Sequence, residues 1–502
     1  MLKLKGVFMK LYRHCLPILL IITFLFISQN YNGVSAALAV PQPGGTILYV
    51  KPGAGGDCLS WVTACDLQTA LHKGIAHQIW VAEGTYTPVP ATETDREVSF
   101  ELISGVWIYG GFPSDGGDWE ERDWEANPTT LSGEIGNVGD ISDNSYHVVS
   151  AIGVNYTARL DGFTITGGGK NVSTPPTGSG SGGGMYSINS SPTLSNLIFT
   201  ANSSYRGAGM YNENSSPSLT NVIFSNNESQ YGGGMANYAI SSPTLSDVTF
   251  SGNSSASFGG GIYNDESSPI LTDVTSIENT SSWGGGTFNI GSSPTLNAVT
   301  FSGNSVDVKT DGQGGWGGGL ANAYLANPSL TNVTFSANSA EVGGGMYNED
   351  LSNSQLTNVT FFGNSAELAG GGIYNGILGT NVSNSELTNT IVWANSPDQI
   401  FNQAGSTITV NYSVVQGGWE GTNNINEDPL LQPLADNGGF TFTHALGANS
   451  SAIDAGSPVG CPVIDQRGFP RPVDGDGDGV ATCDIGAFEY YHQVFLPLIM
   501  SD

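Results

Sequence analysis

Basic residues are scarce in this chain, with 14 Lys and Arg in 502 residues against 44 Asp and Glu. Polyanions are held by clustered Lys and Arg, so nucleic acid and anionic membrane surfaces are poor partners for this chain. Charge of either sign is sparse, at 12% of residues, so the chain is not an acidic disordered polymer. Cysteines number five and histidines six, and no histidine stands near a cysteine pair at zinc-ligand spacing. No apolar run after the first 28 residues approaches the roughly 18 that a membrane-spanning helix needs.

What is present begins with a targeting signal. Lys3, Lys5, Lys10 and Arg13 precede an apolar run from Leu16 to about Ser28, followed by the small residues Val34, Ser35 and Ala36. This pattern reads as a secretory signal peptide over residues 1–36, the alternative of an uncleaved anchor needing a longer run. Its removal leaves ten Lys and Arg against 44 Asp and Glu, a formal charge of −34. Four cysteines then remain, in two local pairs, Cys58 with Cys65 and Cys461 with Cys483. In an exported chain both pairs are expected to be disulfides.

A glycine triplet recurs, its third residue falling at Gly184, Gly209, Gly234, Gly261, Gly286, Gly319, Gly345 and Gly372. The steps are 25, 25, 27, 25, 33, 26 and 27 residues, a period that signals a solenoid whose units bury their apolar faces only against neighbours. Stretches such as "LTNVTFSAN" also fit a leucine-rich repeat, but the rest of each unit is Gly, Ser and Asn, poor material for a helix. The expected fold is therefore all-β, a right-handed parallel β-helix with three short strands per coil, an N-terminal cap and a small C-terminal β region.

Within a coil, the residue after the triplet (Met185, Met210, Met235, Ile262, Met346, Ile373 among them) is expected to point inward. A leucine follows, then Asn or Asp at a bend between strands (Asn196, Asn221, Asp247, Asp273, Asn332, Asn358), types that tolerate a left-handed backbone. The last strand ends in a stacked Phe such as Phe199, Phe335 or Phe361. Three residues later an Asn (Asn202, Asn338, Asn364) bonds to the coils above and below. The expected organisation is a cap and first coils over 37–150, repeats over 151–413, C-terminal coils and a further domain over 414–490, and a short apolar tail over 491–502.

The pairing of "GGGMYN" with "FSGNS" resembles the Gly-Gly-x-Ile and Phe-x-x-Asn motifs of polymorphic outer-membrane protein repeats, which implies a surface-displayed β-helix used in adhesion. Asp465 to Tyr490, "DQRGFPRPVDGDGDGVATCDIGAFEY", resembles the choice-of-anchor Q domain, which ends many bacterial secreted β-helix proteins. Residues 47–88 resemble the N-terminal segment of such proteins, with a short plugging helix from Asp66 to Lys73.

Three places carry candidate chemistry. The residue after the inward one is Tyr186, Tyr211, Tyr263, Phe288, Tyr347 or Tyr374, expected outward in one column, and Trp316 ends the long loop 306–316 beside it. The column either stacks on sugar rings or packs within the sheet. "DGDGDG" places Asp474, Asp476 and Asp478 at alternating positions like the start of an EF-hand loop. The twelfth position is Ile485 rather than Glu, so a looser calcium site is expected, or else a solvated acidic turn. Enzymes must also be weighed, since many β-helices degrade polysaccharides. From Asn171 to Gln466 only Arg206 and Lys309 are basic, against uronate lyase chemistry. A hydrolase needs only two carboxylates, and Asp265, Glu266, Glu349 and Asp350 are scattered candidates. The expectation is a secreted or cell-surface, monomeric, non-catalytic protein that binds polysaccharide or a cell-surface glycan or protein. A polysaccharide-degrading hydrolase or lyase is the alternative, with no catalytic residue assigned.

Overall fold

The computed structural model describes residues 45–89, 95–169, 180–307 and 315–492. The signal peptide, the tail from residue 493 and most of the 306–316 loop lie outside the described residues. The chain is a right-handed parallel β-helix, the hand that parallel crossovers take. Its three sheets are a long one of 17 strands, a second of 11 that includes the eight strands following the glycine triplets, and a third of seven short strands.

Alternation along the strands builds the core. In the long sheet, Ser329–Ser336 pairs with Gln355–Phe362 so that Leu330 meets Leu356, Val333 meets Val359 and Phe335 meets Phe361. All six are at most 2% exposed. The Phe rings stack at 4.9 Å between Phe301 and Phe335 and 4.5 Å between Phe335 and Phe361. Met346 and Ile373 point into the same core from the second sheet, both fully buried.

The bend expected between two strands lies inside one. Asn358, at φ 54°, sits mid-strand in Gln355–Phe362, and its counterparts Asn196, Asn221, Asp247, Asp273 and Asn332 are also left-handed. A single residue of this kind redirects the strand while pairing resumes on both sides, as at Thr331 with Thr357 and Val333 with Val359. The third strand of each coil instead follows the stacked asparagine, for example Ser339–Val342 after Asn338.

Those asparagines form the expected ladder. Asn338 Nδ2 donates to Asn364 Oδ1 at 2.9 Å and to Phe301 O at 3.0 Å, and its backbone N–H also donates to Asn364 Oδ1. Each buried amide is thereby satisfied within the stack. The glycine triplet makes the corner: Gly343 has φ 69°, and a Cβ on Gly345 would sit 2.6 Å from the Gly372 carbonyl oxygen in the next coil.

The N-terminal end is plugged by a helix over Leu67–His72, capped by Asp66, which accepts from the Thr69 N–H. Both disulfides form, Cys58–Cys65 and Cys461–Cys483. Among the described residues no helix is long and apolar enough to cross a membrane.

Candidate functional site

The aromatic column exists, yet it is roofed. Tyr186, Tyr211, Tyr263, Phe288, Tyr347 and Tyr374 occupy one line of the second sheet, in register from coil to coil. Tyr211 and Phe288 are 3% exposed, Tyr263 and Tyr347 6%; Tyr186 and Tyr374 at the ends are half-buried. The cover comes from the residue just before four of the triplets: Tyr231, Phe258, Trp283 and Trp316. Phe258 stacks on Phe288 at 4.8 Å, and Trp316 on Tyr347 at 5.4 Å. The outward platform expected from strand alternation is thus corrected to an internal aromatic layer. The glycine corner folds the preceding ring back over the column, and burying both faces removes apolar surface from water. The signal was in the sequence, as an aromatic directly before four of the triplets.

The tyrosine hydroxyls explain the Tyr-x-Glu/Asp pattern around them. Tyr211 donates to Glu213 at 2.9 Å, Tyr263 to Asp265 at 3.2 Å and Tyr347 to Glu349 at 2.7 Å. Burial pushes the Glu349 carboxyl up to about 7, against the lowering effect of the Tyr347 hydroxyl. Asp350 beside it accepts from Asn381 Nδ2 at 2.6 Å. These acids serve the roof and do not converge on an open groove.

The open surface lies elsewhere, on the outer face of the long sheet. At one end, residues 113–128 fold over the first coils. There Arg122 Nε donates to Gly110 O at 2.7 Å, and its guanidinium pairs with buried Asp161. At the other end the C-terminal segment folds back on the sheet. Gln466 bridges Thr300 and Thr334 at 2.8 and 2.7 Å, while Asn358 Nδ2 donates to the carbonyls of Asp484 and Gly486 at 2.9 and 3.1 Å. Two ion pairs buried within that segment, Arg467–Asp465 and Arg471–Glu489, hold its shape. Thr300, Thr334 and Thr360 are consequently buried, whereas Thr249 and Thr275 in the same column remain partly exposed.

Between the two covers runs a trough over five strands, from Arg159–Thr166 to Ile270–Ile277. Its floor carries a polar ladder at the left-handed positions Asn196, Asn221, Asp247 and Asp273, headed by Asp161 from the neighbouring row. Asp161 accepts from Asn196 Nδ2 at 3.0 Å and from Ser195 Oγ at 2.6 Å, and Asn196 Oδ1 accepts from Asn221 Nδ2 at 2.7 Å. The next two rungs are Asp247 and Asp273, with their flanking residues Ser246 and Thr272 paired across the strands. Burial, with Asp247 alongside, raises the Asp273 carboxyl to about 6; burial also raises Asp247. Sequence reasoning assigned this pair to bends only, because a 26-residue gap hides that the two stack. Where the trough meets the N-terminal cover, a concavity of about 350 Å³ is lined by Trp124, Glu125, Pro128, Thr129, Thr164 and Ile198 among others.

The acidic turn gathers differently from expectation. Asp474 and Asp476 meet Asp454, one carboxylate oxygen of each within 4.8 Å of the others. Asp478 stays outside this group, and its Oδ1 accepts the Val480 N–H at 2.7 Å. The turn is tied down by Asp454 Oδ2, which accepts from the N–H groups of Gly475 and Asp476, both at 2.8 Å.

Comparison with known proteins finds one repeat family and distant structural neighbours. Residues 247–265 and 358–376 match the Chlamydia polymorphic membrane protein repeat. Among solved structures, pectate lyase Pel9A is similar over 89% of this chain and 96% of its own, at 14% identity and a TM-score of 0.44. The catalytic domain of a GH87 alpha-1,3-glucanase, solved with tetrasaccharides, covers 75% of this chain and 70% of its own, at 12% identity and a TM-score of 0.35. No curated protein matches. In its repeats the chain is thus similar to a membrane-protein repeat family.

Proposed function

We propose that this is an exported, surface-associated β-helix protein that binds polysaccharide or a cell-surface glycan without cleaving it. The observation that supports this most is the trough: among the described residues, one stretch of sheet is left open between two segments that fold over the same face. A rigid floor of Ser, Thr and Asn side chains at strand spacing presents hydrogen-bonding groups at fixed intervals, as recognition of a repeating polymer requires. The match to a membrane-protein repeat and the two disulfides support display outside the cell. Calcium, where bound, would be held by Asp454, Asp474 and Asp476 and would offset charge at the acidic turn.

A second reading rests on Asp247 and Asp273. Two carboxylates on adjacent strands, about 4.8 Å apart in backbone spacing, both raised by burial and Asp273 to about 6, are the minimum for glycoside hydrolysis. Incubating the purified protein with a polysaccharide panel separates the two. Retention without release of reducing ends is the expected result. Release of reducing ends, abolished by Asp273→Asn, would replace binding with hydrolysis.

A further inference from the structure

Resting on the binding reading, we infer that the trough takes a neutral glycan chain, and that the concavity at Trp124 holds one of its sugar residues. Trp124 is partly exposed and faces the outward Ile198, whose register partner on the next strand is Ile223. Ring and methyl groups thus form an apolar strip that suits the C–H face of a hexose. Thr164 and Glu125, both at least partly exposed at the same concavity, supply hydroxyl and carboxylate groups for its polar edge. The volume, about 350 Å³, lies within the range of small-ligand sites, roughly 300 to 1,000 Å³.

The trough continues from this concavity along the polar ladder. Four strand-to-strand steps of about 4.8 Å span roughly 19 Å, and each step is close to the repeat of an extended polysaccharide. Ser195, Thr220, Ser246 and Thr272 hold one row in register, with Asn196, Asn221, Asp247 and Asp273 beside them. These are hydroxyl, amide and carboxylate groups, which exchange hydrogen bonds with sugar hydroxyls.

Charge decides the chemical class. The carboxylates in or beside the trough are Glu125, Asp161, Asp247 and Asp273. The two cations at its edge, Arg122 and Arg159, both pair with Asp161, and Arg159 Nη2 also donates to Ser195 Oγ. A uronate or sulfated chain would bring further negative charge to a surface where, among the described residues, these four carboxylates outnumber the two arginines, which already share Asp161. A neutral chain meets no such penalty, and the carboxylates accept its hydroxyl protons.

The test is titration calorimetry of the full chain with neutral glucan and xylan oligosaccharides and with polygalacturonate. The variants are Trp124→Ala, Thr164→Arg, which fills the concavity without removing the tryptophan, and Tyr374→Ala in the aromatic column as a control. Expected are binding of a neutral oligosaccharide, a loss of roughly three- to tenfold in Trp124→Ala, the scale of one aromatic contact, a comparable loss in Thr164→Arg, and none in Tyr374→Ala. Neutral binding that persists in both trough variants would overturn the placement while leaving the binding reading intact. Preference for polygalacturonate would overturn the chemical class. Failure of the wild-type protein to bind any of the polymers would overturn the binding reading itself.

Discussion

Replacing Glu349 with Gln tests how burial governs the acids under the aromatic roof. Glu349 is 7% exposed, accepts the Tyr347 hydroxyl at 2.7 Å, and has its carboxyl pushed by burial from the ordinary 4.5 to about 7. Between those two values the folded chain binds more protons than the unfolded one, so stability falls as pH rises through this window. The full penalty, about 3 kcal/mol for a shift of this size, is felt from about pH 8 upward and is absent below about pH 4. Gln keeps an acceptor for the Tyr347 hydroxyl and cannot ionise. Glu349→Gln should therefore melt with the wild type at pH 4 and above it at pH 8. Unfolding entropy near 2.1 cal/mol/K per residue turns this into roughly 3 °C if the solenoid melts as one unit. Scanning calorimetry on both proteins at a series of pH values reads the difference, in which all shared titrations cancel. Tyr347→Phe removes the hydrogen bond that lowers the Glu349 pKa, so the penalty in that variant should widen. A Gln variant that is less stable at pH 8, or a gap that does not change with pH, would show that an ionised carboxylate is held favourably there and that the burial argument is wrong.

Three other outcomes follow from the same geometry. Asp273→Asn continues the Asn196–Asn221 ladder and should raise stability above about pH 6, with little effect near pH 4; because the site is partly exposed, solvent screening cuts the gain to roughly 1 kcal/mol. Phe335→Ala, which opens a gap between Phe301 and Phe361, should cost about 3 to 5 kcal/mol in denaturant unfolding, and a loss under about 1 kcal/mol would mean that the stack collapses to fill it. If calcium sits at the acidic turn, chelation should lower the melting temperature of the wild type but not of Asp454→Ala, whereas Asp478→Ala should respond like the wild type.

Much of the fold was legible because a solenoid repeats its local rules. The triplet spacing, the Phe and Asn columns, the left-handed Asn and Asp positions and the disulfide pairs each depend on one unit and its neighbour, so a period of about 26 residues exposes them in one dimension. The fused strand around Asn358 was harder, since a left-handed residue can end a strand or merely bend it, and only the paired coil decides which. The aromatic column shows the limit more sharply. Alternation says correctly that Tyr347 leaves the core, but not that Trp316, from the coil before, will lie on it.

The sequence by itself determined the winding, the contents of the core and the polar ladders, because these follow from period, residue type and the need to satisfy each buried amide. The tertiary structure alone decided which face is open. Gln466 reaches Thr300 across 166 residues and Asn358 reaches the Gly486 carbonyl across 128, so the C-terminal segment covers late coils while residues 113–128 cover the first. No local propensity encodes such contacts. They arise because non-repeating segments must bury their own polar groups, and the nearest unpaired partners lie on the outer face of the long sheet. The strands they do not reach hold Asp247 and Asp273 side by side and leave Trp124 at the edge of a groove.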